Sequence, residues 1–317
     1  MKRKMEVSEL IFKIIAYVFL IAFALMCVYP FIYAISSSFS SANAIENGKV
    51  VLWPIDPNVQ AYKYVFLDNM FWVSYSNTMF LALVGTVWCL IYTVLGAYAL
   101  SKKRLMGRKG FNLFLVFTMW FSAGIVPQFL NYQQTGEILA GLVGMQYADA
   151  GFDEKWLIVI AMGMNATNVI LLRNTFEGVP AEIEEAARID GATEMQVLMN
   201  VYIPMSKATI ATVALFFGIS RWNGYFWAMR MMPNQPFSWP VQVKIRNFID
   251  SYSGLVQTPT VDNVDEWKII ESVDYTKASI MSVVYAMVIC GVIPILVIYP
   301  FIQKYFAKGV NMGGVKE

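Results

Sequence analysis

Six long apolar runs, none carrying an acidic residue, confine this chain to one environment. They cover roughly 11–36, 71–100, 111–133, 156–173, 207–230 and 278–302. A helix that crosses the hydrocarbon core of a bilayer needs about 20 predominantly apolar residues, and each run comes close to or exceeds that length. One such run could be a buried helix of a soluble protein; six, separated by polar loops, could not. Composition agrees: 57% of the 317 residues are hydrophobic and 15% charged, against roughly 25% charged in a soluble domain. The expected fold is a single all-α membrane domain over 1–317 with six transmembrane helices and no internal repeat.

Several functions drop out at once. Acidic residues inside a membrane usually mark proton or cation pathways, so their absence from all six runs argues against a proton-driven carrier or an ion pump. The chain has no His, which removes the commonest general base and zinc ligand. Cys27, Cys89 and Cys290 all fall inside apolar runs and read as small buried hydrophobes, with neither a disulfide nor a metal set among them. No catalytic residue, metal site or nucleic-acid partner is assigned.

Basic residues set the orientation. Lys2, Arg3 and Lys4 precede span one; Lys102, Lys103, Arg104, Arg108 and Lys109 crowd the short loop after span two; Arg173, Arg188 and Lys207 flank the loop after span four; Lys304, Lys308 and Lys316 follow span six. The loop after span three has no Lys or Arg before Lys155. Both termini are therefore placed inside. Lys244, Arg246 and Lys268 in the outer loop after span five run against the rule, offset by Asp250, Asp262, Asp265, Glu266 and Glu271. The first apolar run is too long for a signal peptide and lacks a small-residue cleavage site, so it is read as a retained span. A bacterial cytoplasmic membrane is the expected home.

The loop 174–206 is the most informative part of the polar sequence. Pro180 suits the first position of a helix, and Glu182, Glu184 and Glu185 complement its positive end. Ile183, Ala186 and Ala187 make a narrow apolar stripe at helical spacing. Asp190-Gly191 breaks the helix, because Gly accepts the left-handed backbone of a tight turn. Thr193 with Gln196 fits a capping box that starts a second helix, whose apolar face is Met195, Leu198, Met199 and Tyr202. A helix–turn–helix of this kind either grips a soluble partner or lies on lipid headgroups; three acids in its first turn disfavour an anionic surface.

Taken together, Glu185, Ala186, Ala187, Gly191, Val201, Ile203 and Pro204 stand at the spacing of a known signature. The chain resembles the permease subunits of bacterial ATP-binding-cassette (ABC) importers. The segments 48–54 and 61–66, Gly96–Ser101, Phe121–Pro127, Leu172-Arg173-Asn174 and Lys304–Val310 are similar to the subset that carries complex oligosaccharides. Gln134–Glu154 departs from that pattern, being Gly-rich and acidic.

The resemblance implies the architecture of a type I importer permease and a division of labour. A second, homologous permease subunit would complete the path. An ATPase dimer would hold ATP and Mg and grip the loop 174–206, and an extracellular binding protein would deliver sugar. No cofactor is expected on this chain, which has no Gly-x-x-x-x-Gly-Lys-Ser/Thr loop. Glu185, Ala186, Ala187, Asp190, Gly191 and Pro204 would couple ATPase motion to spans four and five. The outer segments 37–70 and 231–276, with Trp53, Trp239 and Trp267, would face the binding protein.

Candidates for the sugar path are Arg221, Trp222, Asn223 and Tyr225 in span five, Gln128 and Asn131 in span three, and Asn165 and Asn168 in span four. Aromatic faces stack on sugar rings, and an amide bonds hydroxyls in both directions; interfacial aromatics and interhelical hydrogen bonds use the same residue types. A charge as deep as Arg221 must face a wet cavity, pack against a partner or snorkel. In a cavity it would suit the carboxylate of an acidic sugar. Pro30, Pro294 and Pro300 read as kinks or span ends. Two other readings remain: a permease for a non-sugar solute, and a membrane enzyme acting on a lipid-linked sugar. The enzyme would need an acid or His near the membrane face, where Asp149, Asp153 and Glu154 form only a loose cluster.

Overall fold

Residues 7–121, 123–142, 154–233, 235–252 and 278–314 are described by the computed structural model, and every regular element among them is helical. Lys2, Arg3, Lys4, Asp149, Asp153, Asp262, Asp265, Glu266, Trp267, Lys268, Glu271 and Lys316 lie outside the described residues, as do most of 134–154 beyond Leu142 and the later part of 231–276.

Among the described residues, three helices are long and apolar enough to cross a membrane: Ser8–Phe39, Asn69–Ser101 and Ile280–Pro300. They belong to α1 (Val7–Phe39), α4 (Asn69–Ser101) and α15 (Ile280–Gly314) and carry the first, second and sixth apolar runs. Helix α1 is apolar on every side, and its most apolar stretch has no buried residue. A helix of that kind is stable only when lipid or protein covers it all round. Cys27, on α1, is therefore exposed, whereas Cys89 is buried and Cys290 half-buried. The chain stays helical through Pro30 in α1 and through Pro294 and Pro300 in α15, and Pro300 stands at the end of its apolar span.

The other three apolar runs are not single helices. Run 111–133 divides into α5 (Arg108–Trp120) and α6 (Ile125–Leu142), at a turn where Gly124 has φ +85°. Pro127 follows in the first turn of α6, where its missing N–H costs nothing. Run 156–173 divides into α7 (Glu154–Ala161) and α8 (Ala166–Glu177). Asn165 caps α8, its side chain accepting from the Asn168 amide at 3.2 Å. Run 207–230 divides into α12 (Lys207–Trp222) and α13 (Tyr225–Met231) at Asn223-Gly224. A further bend of 86° separates α12 from the preceding helical segment Glu194–Met205. Hydropathy registers side chains and passes over these breaks in the backbone ladder. Part of the expected loop 134–154 is also helical, since α6 runs on to Leu142.

The chain packs as two compact units. One comprises 1–71 and 245–292. In it the end of α1 is tied by serines to the strap that holds α2 (Ala42–Glu46) and α3 (Gln60–Leu67). Ser36 donates to the Leu52 carbonyl at 2.6 Å, the Ile55 amide donates to Ser40 Oγ at 3.1 Å, and Ser38 and Tyr62 share a hydrogen bond of 2.8 Å. Tyr33 meets Tyr285 edge to face at 5.7 Å. Trp53, on this strap, is exposed.

The other unit comprises 72–244 and 293–317, and most of α4 runs through it as a spine. One buried cluster gathers Leu81 with Leu157, Ile158, Val159, Ala228, Met231, Met232, Trp239 and Val243. A second gathers Ala97, Tyr98 and Leu100 with Val169, Leu172, Phe176, Val197, Leu198 and Tyr202. Cys89 sits between them with Val213 and Phe217. At 1.5 Å per residue, the clusters at Leu81 and Tyr98 are about 25 Å apart along α4. Each fully buried Leu or Phe contributes about 1.5–3 kcal/mol. Trp239, expected on an outer docking surface, is buried and donates its ring N–H to the Met232 carbonyl. It holds the start of the segment that leads into α14 (Val241–Tyr252).

Candidate coupling site

The loop 174–206 folds as a tight helix pair. Helix α9 (Ala181–Ile189) begins one residue later than expected, with Pro180 as its cap residue rather than its first helical one. It ends in a Schellman turn: the Gly191 amide donates to the Arg188 carbonyl and the Ala192 amide to the Ala187 carbonyl, both at 3.0 Å. Gly191 has φ +82°, a backbone state that costs any residue with a Cβ. No heavy atom other than its chain neighbours lies within 4 Å of where that Cβ would stand, so the requirement for glycine is purely conformational. The expected capping box is present: Thr193 Oγ1 accepts from the Gln196 amide at 3.4 Å, and Gln196 Oε1 accepts from the Thr193 amide at 2.8 Å.

Beyond the cap the second helix changes pitch. Helix α10 (Glu194–Val197) passes into a π-helical turn (Leu198–Tyr202) and then α11 (Ile203–Met205). The expected apolar face is split. Leu198 and Tyr202 are buried with Val197, whereas Met195 and Met199 are exposed. The stripe on α9 divides too: Ile183 and Ala186 are open, while Ala187 packs half-buried against the core. Glu185, Asp190, Gly191 and Pro204 are exposed.

The inner side of the pair is fastened to the Lys102 end of α4. The Lys102 ammonium pairs with Glu184 at 2.8 Å and stands 3.8 Å and 4.2 Å from the ring centres of Tyr202 and Tyr98. Tyr202 donates its hydroxyl to Glu184 at 2.5 Å, and Tyr98 donates to Glu194 at 2.9 Å. Arg188 bridges Glu184 and Glu194 at 2.7 Å and 2.8 Å, and Arg104 also pairs with Glu194. The two tyrosine rings meet edge to face at 5.1 Å, over Phe176. Burial pushes the Glu184 carboxyl up, but hydrogen bonds from Lys102, Tyr202 and Arg188, with the Lys102 charge, outweigh it and hold the group at about 2. Burial lowers Lys102 against the partial counter-pull of Glu184. Sequence pattern alone does not gather this set. One local signal was available, Glu184 and Arg188 at i,i+4; the partners on α4 are about 80–100 residues away in the chain.

The residues expected on a sugar path are brought only partly together. Arg221 crosses from α12 to α4 and to the break between α7 and α8. Its guanidinium donates to the Met162 carbonyl, just beyond the end of α7, and to Cys89 Sγ at 3.0 Å. Its stem lies 3.3 Å from where a Cβ of Gly85 would be, so a small residue there admits it. Its Nε is buried with no acceptor among the described residues. Trp222 is buried edge to face on Tyr75, 6.1 Å away, and Asn223 and Tyr225 are exposed at the end of α12 and start of α13. Asn165 and Asn168 are engaged with each other in the α8 cap. On α6, Gln128 is half-buried and Asn131 exposed, and Tyr132 brings that helix against Trp227 at 4.9 Å.

No family model matches the chain. It is 32% identical over 306 residues to the polygalacturonan/rhamnogalacturonan transport system permease protein YtcP of Bacillus subtilis, covering 96% of this chain and 98% of that one. It is 30% identical to Protein LplC of the same organism, covering 96% and 95%. Among solved structures it matches a chain of a bacterial ABC transporter involved in the import of the acidic polysaccharide alginate, with TM-score 0.80 and 40% identity over 96% of this chain and all of that one. Apolar helices, a helix pair built on the Glu-Ala-Ala signature and this whole-length similarity converge: the chain is an integral membrane transport subunit rather than an enzyme, and it belongs to the permease subunits of bacterial ABC importers for sugars.

Proposed function

We propose that this chain forms half of the translocation path of an ATP-driven importer for a uronate-bearing oligosaccharide. A second, homologous permease subunit supplies the other half. An ATPase dimer that holds ATP and Mg docks on 174–206, and an extracellular binding protein delivers the sugar at the opposite face. Residues 1–317 act as one permease domain of type I architecture, crossing the bacterial cytoplasmic membrane six times with both termini inside.

The observation that carries this reading is the two-sidedness of the helix pair. Its inner side is bonded to α4, while Glu185, Ala186, Ile183, Ile189, Met195 and Met199 are left exposed. Small and apolar residues on a fixed support suit a protein groove, where each buried Ile contributes about 1.5–3 kcal/mol. Glu185 offers a charge for a basic group on the ATPase. Gly191 sets the angle between the two helices, and Asp190 and Pro204 bound the segment that moves.

The arrangement of the loops supports the crossing pattern. The loop after span two meets the loop after span four through Lys102 and Glu184. At the other end of α4, Asn77 donates to the Phe237 and Trp239 carbonyls after span five and accepts from Lys155 at the start of span four. Alternating crossings would put the members of each of these pairs on the same side.

Charge balance supports the cargo class. Arg221 lies in runs without a single acid, and its observed acceptors, a carbonyl and a thiol, are neutral. A cation there gains from an anion brought by the cargo, and the named cargoes of the similar proteins include polygalacturonan and alginate. Trp222, Asn223, Tyr225, Gln128, Asn131, Asn165 and Asn168 are the neutral candidates along the path.

The test is purification of the tagged chain from native membranes, identification of its companions, and uptake by the reconstituted complex of a tetragalacturonide against a neutral tetrasaccharide. A second six-span permease, a Walker-motif ATPase and preference for the uronate are expected. Recovery of the chain alone would overturn the importer assembly. Equal uptake, or unchanged uronate uptake in Arg221→Gln, would overturn the cargo assignment.

A further inference from the structure

We infer that Lys102 is a positioning residue that makes α4 and the coupling helix pair move as one body, so that ATPase motion reaches span two as directly as spans four and five. The inference rests on the importer reading above. The chain itself links 174–206 only to spans four and five; the side chains add a third connection of a particular construction.

Lys102 is nearly enclosed. Its ammonium, one residue past the end of α4, lies between the rings of Tyr98, on α4, and Tyr202, on the π-helical turn, and pairs with Glu184 on α9. Tyr202 donates to that same carboxylate, and Arg188 holds its other oxygen. Three backbone segments therefore converge on one cation. A buried ammonium held by one carboxylate and two ring faces resists displacement, because parting from that carboxylate leaves a charge desolvated and unpaired. Tyr98 and Tyr202 also belong to the apolar cluster that includes Phe176 and Leu172 of α8, so the cation sits on packed rather than yielding ground. This joint has no free length in which a push on the exposed face of α9 could be lost before reaching α4.

The experiment uses the whole reconstituted complex in proteoliposomes, with its ATPase dimer and binding protein, and measures sugar imported per ATP hydrolysed. The wild-type complex is run alongside; failure of the wild type to couple hydrolysis to import would count against the importer reading itself rather than against Lys102. Lys102→Met keeps the stem and removes the charge. Its expected behaviour is normal recovery of the ATPase with the permease, ATP hydrolysis within twofold of wild type, and at least a tenfold fall in sugar per ATP. Lys102→Arg restores a cation between the two rings and is expected to recover at least a third of the coupling. Tyr202→Phe removes one hydroxyl and leaves the packing, so it tests the joint without threatening the fold, and is expected to lower the ratio three- to fivefold. A wild-type ratio in both Lys102→Met and Tyr202→Phe would overturn the inference. So would loss of the ATPase from the purified Lys102→Met complex, which would make Lys102 an assembly residue.

Discussion

The two ends of α4 are fastened by different chemistry. At Asn77 the fastening is made to backbone: one amide side chain reaches the Phe237 and Trp239 carbonyls, and Thr78 Oγ1 accepts from the Val241 amide at 2.8 Å. At Lys102, about 37 Å away at 1.5 Å per residue, side chains bond to side chains. Five charged groups and two phenols close a circuit among the end of α4 with the loop after it, α9, α10 and the π-helical turn. Bonds to backbone fix a position. A circuit of side chains fixes the relation between elements and lets them travel together. The second arrangement lies where the proposed ATPase docks, and the first where the proposed binding protein docks.

That contrast breaks most sharply at Glu184. Glu184→Gln leaves Lys102, whose side chain is only 10% exposed, without its anion, and is expected to cost about 3 kcal/mol, read as a loss of thermal stability of the purified complex. The same carboxyl gives a pH signature. Its ordinary value is 4.5 and its folded value about 2. A depressed carboxyl contributes stability in full above the ordinary value and loses it as pH falls toward the folded one. Stability is therefore expected to be flat in this respect from pH 7 to 5 and to fall between about 4.5 and 2, with the fall reduced in Glu184→Gln; identical curves would contradict the pairing.

Gly191→Val tests the angle of the helix pair rather than its charges. A β-branched residue at φ +82° costs about 1–2 kcal/mol, and the altered turn is expected to abolish uptake while membrane insertion, followed by protease protection, stays normal. Wild-type uptake would remove Gly191 from the coupling role. Asn77→Ala sharpens the comparison from the other end: about 1–2 kcal/mol of stability lost, with sugar imported per ATP unchanged. The smallest effect belongs to Arg104→Gln. The Arg104–Glu194 pair has side chains 54% and 49% exposed, and such pairs contribute at most about 1 kcal/mol, so stability and uptake within error of wild type are expected.

Local features were legible in the sequence wherever a rule spans only a few residues. The turn at Gly191 and the capping box at Thr193 depend on neighbours within four positions, and both appear as expected. So do α1, α4 and α15, whose apolarity is continuous. The breaks at Gly124, Asn165 and Asn223-Gly224 were harder, because apolar side chains continue across them while the backbone ladder does not; a capping Asn and a Gly-Pro pair within runs three and four were the available signs. The Lys102 circuit could not be read at all from periodicity. Its members are ordinary loop charges and span-end aromatics until the fold carries residues 98 and 102 to residues 184, 194 and 202. Arg221 was recognised as anomalous from its type and depth, but its bond to Met162 depends on a helix break that hydropathy does not register.

The π-helical turn at Leu198–Tyr202 sets the segment's tolerance to changes in length. A π turn accommodates one residue more than the α-helix around it, and here it falls between Leu198 and Tyr202, which are both buried while Met199 between them is exposed. Deleting one residue within the turn would shorten the segment by little but rotate everything beyond it by roughly 100°, the angular step of an α-helix. Tyr202 would swing off Lys102, and Pro204 would lead into α12 on another side. The phase of the screw, more than the distance it covers, is what selection on this segment would have to preserve.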